Sequence, residues 1–449
     1  MSREILRQSI SLPVAAAVIA LSAGCQAFAP DFAEFGGERI RHLRDRAAQQ
    51  DTMLTLRLDT VLPELMERAG VDCWLTLADG PAGDAIVSLM TVSATRLEGK
   101  GVLLLCNQDA GLVRIAVGKG FAANAGIYEV IETSGDSSLA AVLNERLQAL
   151  APERIAINDS PEFPAADGLT ASNARWLGEH LAPEWSSRLM SSRPLVENLL
   201  AGNIEVEAPL FVESARLTVA ILDEVLSDQV VFAAGTSLLD LDWAARDRAA
   251  QLDLEVVYPP RTVVYRPSSA LEAERRMGLD LKLQPGDLVF LSFGVRYLGY
   301  ANRVGRWAYL LPTGERAAPA WVDDALSSLA DAAERTAGAI TVGQDAAEVR
   351  GATRSAMAGL ADAVVAVDRV GRLQEGAVDL GAIPAPMALW DSGYRIAAGT
   401  GLALTLSVTV QPPGPTARPM QLLLIGTAWV TADGTGFVVP LQRTALLID

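Results

Sequence analysis

Gln284-Pro285-Gly286-Asp287-Leu288-Val289-Phe290-Leu291-Ser292-Phe293-Gly294-Val295-Arg296-Tyr297-Leu298-Gly299-Tyr300 is the most informative stretch of this chain. Pro-Gly-Asp is turn chemistry, because Pro presets one backbone angle and Gly accepts conformations closed to other residues. The apolar run Leu288 to Val295, rich in β-branched and aromatic side chains, predicts a strand leaving that turn. Gly299-Tyr300 closes it with a second turn. Arg306-Trp307-Ala308-Tyr309-Leu310 and the turn Pro312-Thr313-Gly314-Glu315 follow.

Working outward, helical periodicity predicts helices at Pro209 to Leu226, Leu238 to Leu252, Ala320 to Ala337 and Ala346 to Ala361. Strands are expected as a pair around Val256 to Tyr265, and at Leu402 to Val410, Leu422 to Val430 and Ala445 to Ile448. Gln411-Pro412-Pro413-Gly414-Pro415 reads as a stiff loop. The second half is therefore α+β. The first half alternates its elements: a helical stretch Glu38 to Ala69, strands at Trp74 to Leu77, Ile86 to Val92, Val102 to Leu105 and Leu112 to Val117, a helix at Leu139 to Leu150, the strand Ile155 to Asn158, and a helix at Thr170 to Leu181. Such alternation predicts an α/β domain that ends near Asn203.

Composition removes whole classes of function. The chain has 449 residues, 37 Lys+Arg against 54 Asp+Glu, and a formal net charge of −17. An excess of acid opposes binding to nucleic acid, which needs clustered cations to neutralise phosphates. Half the residues are apolar, which excludes disorder. His42 and His180 are the only histidines, so chemistry that draws on several imidazoles has almost nothing to use. Gly118-Lys119-Gly120 lacks the earlier glycine and the following hydroxyl of a phosphate-binding loop. No Gly-x-Ser-x-Gly elbow and no paired Cys or His zinc signature occurs. Asp240, Asp242, Asp247 and Asp323-Asp324 read as solvated helix faces and caps.

The N-terminal residues read as an export signal, with Arg3 and Arg7 ahead of an apolar run from Ile10 to Gly24. Ser22-Ala23-Gly24-Cys25 resembles a bacterial lipoprotein box, which makes Cys25 the expected lipidation site; simple cleavage near Ala27 is the alternative. Gln26 after the cysteine implies, in that resemblance, sorting to the outer membrane and a periplasm-facing protein whose only membrane contact is the lipid. Cys73 and Cys106 sit in apolar runs and read as two buried strand thiols, with a disulfide as the alternative in an oxidising compartment.

The Gln284 to Tyr300 stretch resembles the creatinase/aminopeptidase P family of pita-bread metallopeptidases, and so do the later runs Leu389-Trp390-Asp391, Gly401 to Val410, Leu423 to Gly434 and Gln442-Arg443-Thr444. Glu67 to Trp74 and Asp167 to Ser172 resemble the N-terminal domain of its secreted, Xaa-Pro aminopeptidase-like members. The resemblance implies a signal over residues 1–25, a creatinase-like α/β domain over 26–205, and a pita-bread domain over 206–449, a curved antiparallel sheet covered by helices. It also implies two divalent ions held by two Asp, a His and two Glu. Position by position, those ligands fall on Ser292, Arg303, Gly381, Ser407 and Gly426, so none is retained. The region from 181 to 449 has no histidine to replace the missing one. The expectation is therefore a pseudoenzyme with no catalytic residue and no metal cofactor, which binds a peptide or protein ligand through Arg303 and Arg306, as a homodimer if it follows the family. The alternative is a divergent, active Xaa-Pro aminopeptidase or dipeptidase whose metal has moved to acids such as Asp287, Asp379 or Asp391.

Overall fold

The computed structural model describes residues 33–449 except 36, 81–82, 203, 232–234, 267–274, 361, 371–394 and 415–417. Cys25, Asp379, Gly381 and Asp391 lie outside the described residues. Among the described residues no helix is long and apolar enough to cross a membrane.

Where a helix was expected from Glu38, a hairpin comes first: β1 (Ala33–Phe35) pairs with β2 (Glu38–Ile40). Gly37 sits at φ +81°, the left-handed backbone that lets the chain reverse there. The helix Leu43–Thr60 begins only after His42, and the helix Leu62–Ala69 follows it. Phe35, Ile40 and Met53 pack into the same core as the helix Ala208–Val225 and the strand around Phe293, so this segment joins the second half of the molecule to the first.

The first half is built on one mixed sheet of six strands: β3 (Cys73–Asp79), β4 (Glu98–Gln108), β5 (Gly111–Lys119), β6 (Glu129–Ile131), β7 (Ile155–Ile157) and β8 (Leu189–Ser191), in the order β6-β5-β4-β3-β7-β8. One face buries Trp74, Leu103 and Leu105 with the helices Leu62–Ala69 and Arg193–Ala201; the other buries Leu75, Leu77 and Leu104 with the helix Asp136–Leu150. Alternation of side chains along each strand produces both cores from single apolar runs. Ile86 to Val92 is not the expected strand. Asp84 accepts a hydrogen bond from the Ile86 amide at 2.9 Å and caps the helix Ala85–Leu89, the helical solution to a short apolar run that periodicity alone leaves ambiguous. Cys73 and Cys106 face each other directly across β3 and β4, Cα atoms 4.1 Å apart, and form a disulfide rather than two separate thiols.

In the second half, β9 (Glu255–Tyr265), β10 (Leu288–Tyr297), β11 (Tyr300–Ala301), β12 (Val304–Leu310) and β17 (Leu446–Ile448) form one sheet. A second sheet contains β13 (Val364–Val370), β14 (Gly401–Val410), β15 (Met420–Thr431) and β16 (Gly434–Phe437). The expected strand pair at Val256 to Tyr265 is one strand whose register against β10 shifts beside Gly294. On β10, Val289, Leu291, Phe293, Val295 and Tyr297 share a core with the helices Ala208–Val225 and Leu238–Gln251. Each such fully buried side chain contributes about 1.5–3 kcal/mol relative to exposure. On β14, Leu402, Leu404, Leu406 and Val408 pack with the helices Ala320–Gly338 and Ala346–Ala356. The residues of opposite parity form inner faces; at one end of the first sheet Tyr265, Leu288 and Phe290 also pack with the helix Ala320–Gly338, and the inner faces meet where β12 approaches β15. There the Trp307 indole donates to the Leu423 carbonyl at 2.7 Å.

Candidate functional site

Strand parity decides which candidate residues share the inner face. Ser292 lies opposite Gly305 of β12 and Arg261 of β9, on the side of β10 turned away from the helices. It is 1% exposed, and among the described residues its hydroxyl has no hydrogen-bond partner. Arg303, immediately before β12, is 6% exposed. Its amide donates to Thr427 Oγ1 at 3.0 Å, and its carbonyl accepts from the same hydroxyl at 2.8 Å, which fixes the backbone against β15. The turn before it is equally fixed. Asn302 donates through Nδ2 to Ser214 Oγ at 2.7 Å and to the Val295 carbonyl at 3.0 Å. Gly294 is required beside it, because a Cβ there would stand 2.1 Å from the Asn302 carbonyl oxygen.

The Arg303 guanidinium lies over the Tyr258 ring, 5.4 Å from its centroid. Asp368, Ala403 and Thr427 stand side by side on β13, β14 and β15, which puts the Asp368 carboxyl on the same inner face. Burial pushes that carboxyl up to about 6, with Arg303 pulling it the other way. Burial likewise holds the guanidinium below its usual value; Tyr258 and Asp368 oppose that shift, and Arg261 adds to it. An arginine so perturbed still carries its charge near neutrality. Among the described residues, the inner face carries the guanidinium groups of Arg261 and Arg303 and the carboxyl of Asp368.

No protein-family model and no curated protein matches the sequence. Solved structures do match its three-dimensional form. The X-Pro aminopeptidase from Thermotoga maritima superimposes with a TM-score of 0.60 at 14% identity, over 85% of this chain and 99% of that one. Dipeptidase PepE from Mycobacterium ulcerans gives 0.55 at 15% identity, over 89% and 98%. The N-terminal domain of the FACT complex subunit SPT16 from Eremothecium gossypii gives 0.56 at 12% identity, over 89% and 99%. This chain has the pita-bread fold. The resemblance drawn from Gln284 to Tyr300 thus extends to the architecture of most of the molecule.

The described residues on the pita-bread inner face do not suit a pair of divalent cations. Ser292 offers an unpaired hydroxyl where the resemblance places a carboxylate, and Arg303 brings a fixed positive charge into the same space. Among the described residues no group of three or more His, Cys, Asp or Glu is placed to hold a metal ion. Ser407 shares the inner face of β14 with Ala403. Gly426 does not share it. By parity it faces the helix side with Leu424 and Ala428, where a Cβ would meet the Phe437 ring at 2.8 Å. The inner-face neighbours on β15 are Ile425 and Thr427, so the register read from sequence is one residue out there, and neither neighbour is acidic.

The two arginines expected to share a ligand are separated. Arg306 is three residues along from Arg303 and falls on the opposite face, where its Nε pairs with Asp223 Oδ1 of the helix Ala208–Val225 at 3.2 Å. Asp287, named as a substitute metal ligand, is fully buried in a bidentate pair with Arg266, both contacts at 2.7 Å, and also accepts from the Gln284 amide at 2.8 Å. Its oxygens are committed to the turn. Asp240 and Asp242 serve locally, in the capping box with Ser237 and as acceptor from Thr262. Sequence reading passed over Asp368, Arg261, Tyr258 and Thr427. The one signal for Asp368 was a carboxylate interrupting the apolar run Val364-Val365-Ala366-Val367.

Proposed function

We propose that this protein is a catalytically inactive homologue of Xaa-Pro aminopeptidases and dipeptidases, exported as a lipoprotein through Cys25, that acts by binding a peptide or protein. The observation that carries this reading is Arg303: a buried, backbone-anchored cation stands on the inner face where the resemblance calls for a carboxylate that would hold a metal ion. Divalent-metal hydrolysis needs anionic ligands that converge on the ions, and here a guanidinium stands at one of those positions.

Two further observations support it. Disulfides persist in oxidising compartments, so the Cys73–Cys106 bond favours export to the periplasm. The fold also serves in the N-terminal domain of a subunit of a complex, SPT16, so its occurrence does not require a peptidase role. Hydrolysis assays test the reading directly. Purified protein supplied with Mn, Co or Zn is expected to leave Xaa-Pro dipeptides and longer Xaa-Pro peptides intact. Metal-dependent release of the N-terminal residue would return the chain to the enzymes.

A further inference from the structure

Cys25 stands eight residues before Ala33, the first residue of β1. Fully extended, that tether reaches at most about 28 Å. A compact chain of 449 residues has a radius of gyration of about 22 Å and is more than twice that across. A lipid on Cys25 therefore does not leave every face of the molecule equally free to meet a bilayer; it favours the side on which the chain enters the fold. The tether gives little reason to stand off, since Gln26 to Phe32 carries Phe28 and Phe32 and a single charge, Asp31.

The point of entry is fixed by strand pairing. Ala33 lies opposite Ile40 in the β1–β2 hairpin, with Cα atoms about 5 Å apart, and the helix Leu43–Thr60 starts three residues on. Leu43, its first residue, is 61% exposed, more than any other large apolar side chain among the described residues. His42 and Arg44 beside it are exposed too, and the stem of an arginine lies along apolar surface while its head stays in water. Hairpin and helix start are tied to one end of the second-half sheet. The Arg41 amide donates to the Tyr297 hydroxyl at 3.0 Å, and the Arg46 guanidinium lies over the same ring, 5.0 Å from its centroid. From Tyr297 back to Leu288, β10 spans about 30 Å at the rise of a strand. The turn Pro312 to Glu315 lies past that far end, where the Leu310 amide donates to the Asp287 carbonyl at 3.0 Å. The far end is thus the part of this sheet that the tether serves least.

We propose that the β1–β2 hairpin and the start of the helix after it form the surface that rests on the lipid headgroups, with Leu43 entering the boundary between headgroups and acyl chains. The proposal rests on the lipoprotein reading above. Docked this way, the molecule holds the Tyr297 end of β10 toward the bilayer and turns the Gln284 to Asp287 end away from it, toward a soluble partner.

The test uses the full protein with its native lipid, reconstituted in phosphatidylethanolamine and phosphatidylglycerol vesicles whose acyl chains are brominated. A bimane label is attached through L43C in one variant and through T313C in another, both at exposed positions. Cys73 and Cys106 are protected by their disulfide. Bromine quenches only near contact, so the label on L43C is expected to lose several-fold more of its emission than the label on T313C. H42C repeats the reading at a second position, because His42 makes no side-chain cap hydrogen bond that the helix would lose. Equal quenching at the two ends, or stronger quenching at Thr313, overturns the docking surface while leaving the lipid anchor in place. Mass spectrometry that finds Cys25 without an acyl chain is the separate result that overturns the lipoprotein reading and the surface with it.

Discussion

Arg303 and Asp368 oppose each other on the inner face, and their energetics make a pH experiment informative. The folded protein holds the Asp368 proton up to about pH 6, whereas an unfolded carboxyl releases it near its ordinary value. The folded state therefore binds the extra proton in that window, and its stability falls as pH rises toward 6. Asp368→Asn keeps the neutral form at every pH. It is expected to raise Tm by about 2–5 °C at pH 7.5 and to leave it unchanged below pH 4; a lower Tm at pH 7.5 would contradict this account of the site. Ser292 and Arg303 were legible in the sequence because a turn and an alternating strand fix their register. Gly426 was not, because a single-residue slip on a strand exchanges the two faces. Arg306 failed for the same reason of parity.

Among elements, the turn that launches β10 carries a buried bidentate ion pair between Asp287 and Arg266. Asp287 closes the turn on the Gln284 amide and anchors Arg266 beyond the end of β9. Asp287→Ala leaves a buried guanidinium without its carboxylate and should cost about 3–5 kcal/mol, read as a lower urea midpoint with an unchanged m-value. Unaltered stability would show that solvent reaches Arg266. The Pro285-Gly286-Asp287 turn and the run after it specified this element well, since local turn chemistry and tertiary packing agree there. Elsewhere they part. Asp368-Arg369 hid β13 by placing charges inside a strand, and the start of the Ile86 to Val92 run is helical, in Ala85–Leu89, because Asp84 caps it, a contact that periodicity cannot reveal.

At the scale of the whole molecule, the disulfide joins the middle of the first-half sheet and the buried pair Arg57–Glu207, 2.9 Å, secures the passage to the second half. Closing the loop between Cys73 and Cys106 should be worth about 3–4 kcal/mol, so the double variant C73S/C106S is expected to unfold at correspondingly lower denaturant. Thiol labelling of the unfolded, unreduced protein should leave both cysteines unmodified, and labelling of either would contradict the bond. The overall architecture was legible because turns, helices and apolar strands recur along nearly the whole chain. The disulfide was not, since pairing depends on which strands become neighbours.

On the reading proposed above, Arg303 has replaced cation binding on the inner face of this pita-bread fold with a fixed positive charge. Elemental analysis of the tag-free protein, loaded with excess Mn, Co and Zn and then dialysed, tests it most directly. Far less than one metal ion per chain is expected. One or two ions retained per chain, and lost on substitution of inner-face residues, would contradict it.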